Sequence, residues 1–360
     1  IEERTDINGS QIKPINTTQF KKLIEKIKNE NFESIGIGFL HSYANSDNEN
    51  ILKQYILDNL SGVEVSVSSD VCPEIREYER FTTTVVNAYI KPLISNYLKK
   101  LEYELIEKGF NCPLLLMTSG GTLTNIPSAC NNPVRLVESG PAGGAILATS
   151  IAKDLNLNKV ISFDMGGTTA KITIIENKMA IKAREFEVDR KARFKKGSGF
   201  PLRIPVIEMV EIGAGGGSIA RVNKLEQIIT GPNSAGSLPG PACYCNGGTL
   251  PTITDADLII GKINPENFAG GKIKLSKDLA TDAITKNISQ IVNLDTDTAA
   301  LAISEIVDET MSNAARVHTV EQGHETSSRT LIAFGGAAPL HVARVAEKLK
   351  VSSIIIPTNA

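Results

Sequence analysis

Apolar positions along the chain alternate between two periods. After Thr17, residues Phe20, Leu23, Ile24 and Ile27 fall on one face of a helix, and the run Ile35 to Leu40 that follows has the length of a buried strand. The pattern then repeats: Ile51, Leu52, Tyr55, Ile56 and Leu60 predict a second helix, and Val63 to Val67 a second strand. This alternation predicts β/α units. Arg76 to Ile106 predicts a mostly helical stretch interrupted at Pro92, because proline removes a helical N–H and clashes with the preceding turn. A buried-type strand at Leu114 to Met117 follows, then the turn Ser119-Gly120-Gly121-Thr122.

In the second half, Pro141-Ala142-Gly143-Gly144 opens a small-residue helix that runs to about Leu155. The apolar strand Val160 to Phe163 ends in Asp164-Met165-Gly166-Gly167-Thr168-Thr169, and Ile172 to Ile175 returns from that turn as a hairpin would. Residues 191 to 248 are rich in Gly, Ser, Pro and Lys and predict surface loops; the basic run Lys191 to Lys196 reads first as a solvated loop and second as a phosphate contact. Helices are expected at Leu279 to Val292, Thr298 to Val320 and Pro339 to Leu349, with strands at Thr330 to Phe334 and around Ile354 to Ile356.

Composition narrows the chemistry. The chain has 360 residues and a formal net charge of -2, so no general attraction to nucleic acid or to an anionic membrane is expected, and any phosphate partner must be held by local geometry. Apolar runs fall far short of the roughly 20 residues that a spanning helix needs. Five cysteines, scattered and odd in number, fit a reducing compartment, and a cytoplasmic protein is expected. Ile1 at the start, and the end directly after a strand-like run, lead us to expect an interior piece of a longer chain.

The turn after Phe163 has residue types suited to a phosphate. Gly166 and Gly167 let backbone N–H groups approach phosphate oxygens, and Thr168 and Thr169 add hydroxyl donors. Asp164 can hold a hydrated Mg²⁺ or orient an attacking group, since hard cations prefer oxygen ligands; the alternative is a plain hairpin with an Asp-capped turn. Gly335-Gly336, between a strand and a helix, suits an anion at the helix N-terminus or close strand-to-helix packing. Gly213 to Gly217, with Gly215 and Gly216 at its centre, reads as a backbone-amide nest or a hinge. Cys243 and Cys245 lack the second pair or nearby histidine that a zinc site needs.

Asp-x-Gly-Gly-Thr in a hairpin, preceded by the small-residue helix Glu138 to Gly144 and followed by Gly-Gly before a late helix, resembles the nucleotide fold of actin, the heat-shock chaperone ATPases and the sugar kinases. The resemblance implies a ribonuclease H-like α/β fold of mixed sheets with flanking helices. It also implies that Asp164 to Thr169 is the second phosphate loop and Gly335-Gly336 the adenosine loop, the first phosphate loop being missing. A more specific resemblance, to the hydantoinase A/5-oxoprolinase family and its N-methylhydantoinase-like branch, covers essentially the whole chain. It rests on Leu40 to Asn45, Pro73 to Arg80, Ile212 to Ala220, Gly231 to Gly236, Pro239 to Tyr244 and Thr252 to Ala256.

That resemblance implies residues 1–135 as the end of an N-terminal domain with a linking helix. Residues 136–360 would be a nucleotide-binding domain with a Gly/Pro-rich insertion at about 190–250. It further implies ATP and Mg²⁺, a small cyclic amide substrate, a hydantoinase B-type partner subunit and an oligomer. Asp164 would be the catalytic and metal-holding carboxylate, and Gly166, Gly167, Thr168, Thr169, Gly215, Gly216, Gly335 and Gly336 the nucleotide contacts. Lys171 departs from the often acidic residue of the wider family. Two alternatives stay open: an ATP-dependent acetone or acetophenone carboxylase subunit, and a nucleotide-binding module without turnover.

Overall fold

The computed structural model describes residues 1–189, 191 and 197–358; of the basic run 191–196, all but Lys191 lie outside the described residues. The chain divides into two units, residues 1–143 with 182–207 and residues 144–181 with 208–360.

In the first unit, helix α1 (Phe20–Glu30) buries Phe20, Ile24 and Ile27 and stops at Asn31, which takes the left-handed conformation. Strand β1 (Ser34–Ile37), helix α2 (Asp47–Asn59) and strand β2 (Glu64–Val67) follow. β1 and β2 pair in parallel with Ile35 opposite Val65, and α2 supplies the crossover that a parallel pair requires. Helix α3 (Glu77–Glu107) then runs 31 residues without interruption at Pro92, unlike the sequence expectation. Tertiary anchors bracket the proline and outweigh the one missing hydrogen bond: Asn87 donates to Ser66 Oγ at 3.0 Å, Lys91 Nζ to the Val65 carbonyl at 3.0 Å, and Ser95 to the Cys130 carbonyl at 3.2 Å. The motifs Leu40 to Asn45 and Pro73 to Arg80 meet at Ser68, whose hydroxyl lies 2.9 Å from Ser42 Oγ and accepts from Arg80 Nε at 3.2 Å. Arg80, fully buried, donates to the carbonyls of Phe39 and Glu74, both at 2.9 Å, while Glu49 accepts from Phe39 N–H and from Ser68 and Ser69. Strands β3 (Leu115–Met117) and β4 (Leu123–Asn125) form a hairpin.

The second unit is built on one mixed sheet. Helix α4 (Ser139–Asp154) enters it at Gly144 and buries Ala145, Ala148 and Ala152. β5 (Lys159–Met165) and β6 (Ala170–Glu176) form the expected hairpin, and β7 (Met209–Ile212) adds to the free side of β6. β8 (Ser218–Val222) and β9 (Ile228–Ser234) pair as a hairpin, followed by α5 (Ile253–Ile259) and the long α6 (Thr296–Glu321). β10 (Thr330–Phe334) lies parallel to β5, and after α7 (Ala338–Leu349) strand β11 (Ser353–Ile355) lies parallel to β10. The path across the sheet is β7-β6-β5-β10-β11, with the short strand Met179–Ala180 also on β6.

Residues 209–234 are therefore largely strand, where loop was expected. Their glycines stand mainly between strands rather than within them, and Met209, Val210 and Ile212 supply the apolar residues of a sheet edge. Below the sheet, Ile161, Phe163, Met165 and Ile172 pack with Ile303, Val307 and Met311 of α6 and Val342 and Val345 of α7. Each such fully buried side chain stabilises the fold by about 1.5–3 kcal/mol.

Candidate functional site

Asp164 is the sixth of seven residues of β5, so the buried central strand carries its carboxylate to the C-terminal end of the strand. The carboxylate is half-buried and accepts no hydrogen bond among the described residues; burial raises its pKa and the charge of Lys171 opposes that rise. Strand register explains the pairing. Phe334, Asp164, Lys171 and Glu211 stand opposite one another across β10, β5, β6 and β7, and directly opposed residues share a face. Lys171 Nζ lies 3.5 Å from Glu211 Oε1, and its charge also acts on Asp164.

The turn closes with Gly166 N–H donating to the Thr169 carbonyl at 3.2 Å. The N–H groups of Gly167, Thr168 and Thr169 and both threonine hydroxyls have no protein acceptor among the described residues. The side-chain direction of Gly166 and Gly167 is open: a Cβ placed on either would meet nothing within 4 Å.

Two other glycine loops touch this turn through backbone. Gly335, at φ +91°, lies so close that an added Cβ would stand 2.6 Å from Asp164 Oδ1 and from the Met165 carbonyl oxygen, and Ala337 N–H donates to that oxygen at 2.9 Å. Gly336 is exposed and faces open space. Gly144 of α4 leaves room for the Phe334 ring, which an added Cβ would meet at 2.4 Å. On the other side, Gly216 N–H donates to Gly166 O at 3.0 Å and Gly217 N–H to Gly167 O at 2.7 Å. Gly215 N–H donates to Ser218 Oγ at 2.9 Å. The amides of Gly215 and Gly216 are thus buried and engaged inside the protein, which makes their loop a buttress of the turn rather than an open nest for an anion.

Sequence reasoning named the motif Thr252 to Ala256 but gave no role to the helix it opens, which holds this buttress. Thr254 donates to Gly216 O through its N–H and its hydroxyl, both at 2.8 Å. Asp255, fully buried, caps α5 and accepts from the N–H groups of Cys243 and Thr252, each at 2.8 Å. Cys243 is buried, and burial together with Asp255 pushes its thiol pKa up, which makes it inert. Asp257 faces His341 of α7: Oδ2 lies 3.0 Å from Nε2, an ion-pair contact outside hydrogen-bond alignment, while Nδ1 bonds Asp308 of α6 at 2.7 Å. The signal was available as two acids and a threonine in an otherwise apolar run, Ile253 to Ile259, every residue of which is buried.

Among the described residues, no cluster of three or more His, Cys, Asp and Glu is arranged to hold a metal, and no helix is long and apolar enough to cross a membrane. All five cysteines are unpaired. A cavity of about 380 Å³ lies in the first unit, lined by Thr118, Thr122, Arg135, Lys182 and Pro205 among others; neither Asp164 nor Gly335 borders it.

A mixed sheet whose hairpin turn meets a helix-opening Gly-Gly beside one carboxylate defines a mixed α/β protein of the actin-like ATPase type. Within that class, the chain belongs to the hydantoinase/oxoprolinase family: residues 80–360 match the hydantoinase/oxoprolinase model and residues 1–60 that of its N-terminal region. A Methanocaldococcus jannaschii protein without an assigned function is 45% identical over 362 residues, covering 100% of this chain and 53% of that one. Caprolactamase subunit alpha of Pseudomonas jessenii is 32% identical over 98% of this chain and 49% of its own length. The crystal structure of the ATP-dependent caprolactamase from that organism superposes with a TM-score of 0.80 at 31% identity, covering 99% of this chain and 50% of that one. Nucleotide-free acetone carboxylase gives a TM-score of 0.85 at 27% identity, over 99% of this chain and 49% of that one. The chain spans about half the length of the curated relatives it matches.

Proposed function

We propose that this chain is the nucleotide-handling part of an ATP-dependent enzyme that opens a cyclic amide. The observation that carries the reading is the set of unengaged N–H groups at Gly167, Thr168 and Thr169 beside the unpartnered carboxylate of Asp164. Three successive free donors in a glycine turn suit the oxygens of a phosphate chain, and the two threonine hydroxyls add to them. Mg²⁺ is commonly held by one or two carboxylates together with substrate phosphates and water, so Asp164 alone suffices as its protein ligand. Gly335 and Gly336 would receive the adenosine, where Gly336 faces open space.

ATP would supply a phosphoryl group to the ring carbonyl oxygen, which makes the ring carbon electrophilic enough for water to open the amide. The chain's share in that step is positioning and charge stabilisation, and no protein nucleophile is required. Gly216 and Gly217 hold the turn in place through their N–H groups while Gly215 packs against it, and Lys171 moderates the charge of Asp164. Relatives named as subunits, such as caprolactamase subunit alpha, support a hydantoinase B-type partner that completes the hydrolysis.

A second reading keeps the site and changes the reaction. The acetone carboxylase likeness favours carboxylation of a ketone driven by the same activation. The deciding experiment measures phosphate release by the full-length protein with its partner subunit, with caprolactam, hydantoin, N-methylhydantoin and 5-oxoproline in turn. Release that depends on a ring supports the amidase. Release with ketone plus bicarbonate and none with any ring replaces it by the carboxylase. ATP binding without turnover under all conditions leaves a binding module.

A further inference from the structure

The phosphate turn sits within a closed circuit of contacts. Gly166 O accepts from Gly216 N–H at 3.0 Å, and Gly216 O accepts from Thr254, near the start of α5. α5 carries Asp257, whose Oδ2 is 3.0 Å from His341 Nε2. His341 lies on the first turn of α7, and Ala337 N–H, just before that helix, donates back to Met165 O at 2.9 Å. The Asp257–His341 contact is the one step of this circuit made between two side chains.

Both ring nitrogens of His341 face carboxylates, Nδ1 at 2.7 Å from Asp308 Oδ1 and Nε2 at 3.0 Å from Asp257 Oδ2, and the ring is fully buried. A neutral imidazole has one N–H and one lone pair, so one of these contacts would set a lone pair against a carboxylate oxygen; the imidazolium donates to Asp308 through Nδ1 and meets Asp257 at Nε2 as an ion pair. Lys262 lies 3.4 Å from Asp257 Oδ1 and donates to Ser304 Oγ at 2.8 Å, so two cations face two anions. Arg344 and Lys348, further along α7, are engaged by Glu305, Glu347 and Glu309 and take no part.

We propose that His341 is an imidazolium at neutral pH whose clamp between Asp257 and Asp308 fixes the spacing of the Gly213–Gly217 and Gly335–Gly336 loops about the Asp164–Thr169 turn. It is a positioning residue, since its burial keeps it from any substrate. The functional consequence rests on the nucleotide reading above; the charge state and the loop spacing do not.

The test has two arms on the full chain. In the first, the four histidines are labelled with ¹⁵N and His341 is identified by the resonance lost in His341→Gln. Both ring nitrogens of His341 are expected to stay protonated from about pH 6 to 8, where an ordinary histidine titrates. One protonated and one bare nitrogen at pH 7.5 overturns the proposal. In the second, His341→Gln and Asp308→Asn are compared with wild type by amide exchange and by ATP kinetics. Faster exchange at Gly216 and Ala337 is expected, with KM for ATP raised on the order of tenfold and kcat changed less. Unaltered exchange at those amides, or an unaltered ATP KM in folded His341→Gln, overturns it. A wild type that binds no ATP defeats the nucleotide reading instead, and the resonance and exchange results still decide the clamp.

Discussion

Alanine at Gly215 places a methyl carbon 2.6 Å from Gly167 C and Thr168 N and 2.7 Å from Thr168 C. Non-bonded carbons settle about 3.5–4.0 Å apart, so the loop and the turn must separate by roughly 1 Å. Both partners are backbone, and neither can rotate out of the way. The separation strains or breaks the Gly216-to-Gly166 and Gly217-to-Gly167 hydrogen bonds at 3.0 and 2.7 Å. Overpacking of this kind costs about 1–3 kcal/mol, and each buried hydrogen bond lost adds about 1 kcal/mol, so Gly215→Ala is expected to lose about 2–4 kcal/mol. Because the atoms pushed aside belong to the residues proposed to hold phosphate, a shift of this size lowers kcat/KM for ATP on the order of a hundredfold. Alanine keeps its N–H, so the loss cannot be assigned to a missing donor. Urea melts and ATP kinetics read both effects, with Gly140→Ala, whose added Cβ meets nothing within 4 Å, as the steric control. If Gly215→Ala matched wild type within about 0.5 kcal/mol, the ordinary range for a featureless surface change, and kept its ATP kinetics, the buttress argument would fail.

Asp164→Asn is expected to abolish ATP-dependent turnover while leaving thermal unfolding unchanged or raised, because the carboxylate is desolvated without a hydrogen bond to offset it; a large drop in melting temperature would show a structural role instead. Gly335→Ala combines a left-handed φ of +91° with a 2.6 Å approach to Asp164, and a loss of about 2–5 kcal/mol is expected by denaturant titration; near-wild-type stability would contradict it. For His341, burial alone would lower the pKa, but the contacts with Asp257 and Asp308 outweigh it and push it from 6.5 up to about 9. The folded pKa is the higher one, so the clamp's contribution is complete below about pH 6.5 and is lost as pH rises through 9, an upper bound of about 3 kcal/mol; a flat stability profile between pH 6 and 10 would count against it. Lys171→Ala removes the charge that holds the Asp164 pKa down, so the acid limb of the activity profile should move to higher pH, and an unmoved limb would separate the two residues.

Local signals in the sequence revealed the hairpin and its turn because strand, carboxylate, glycines and hydroxyls are contiguous from Val160 to Ile175, and the structure pairs them with Asp164 opposite Lys171. The strand Thr330 to Phe334 was equally legible, being apolar from Leu331 onward and closed by Gly-Gly. Pro92 misled because a propensity rule sees one missing bond and not the anchors at Asn87, Lys91 and Ser95, which reach residues distant in sequence. Glycine density misled at 209–234, where the periodicity of short strands is hidden by the turns between them. The clamp was invisible for the same reason as the buttress: Asp257, Asp308 and His341 lie 33 or more positions apart, and only the packing of three helices brings them together.

The joint between the two glycine loops joins main chain to main chain, Gly216 to Gly166 and Gly217 to Gly167, with no side chain between them. Such a joint offers no surface on which substitution can act by degrees: any residue larger than glycine at 215 opens it, and glycine at 215 leaves it unchanged. Divergence toward a new substrate within this architecture is therefore channelled away from the turn and toward whatever residues face the organic reactant. The phosphate end would remain a fixed part inherited whole, while the chemistry it serves is free to drift.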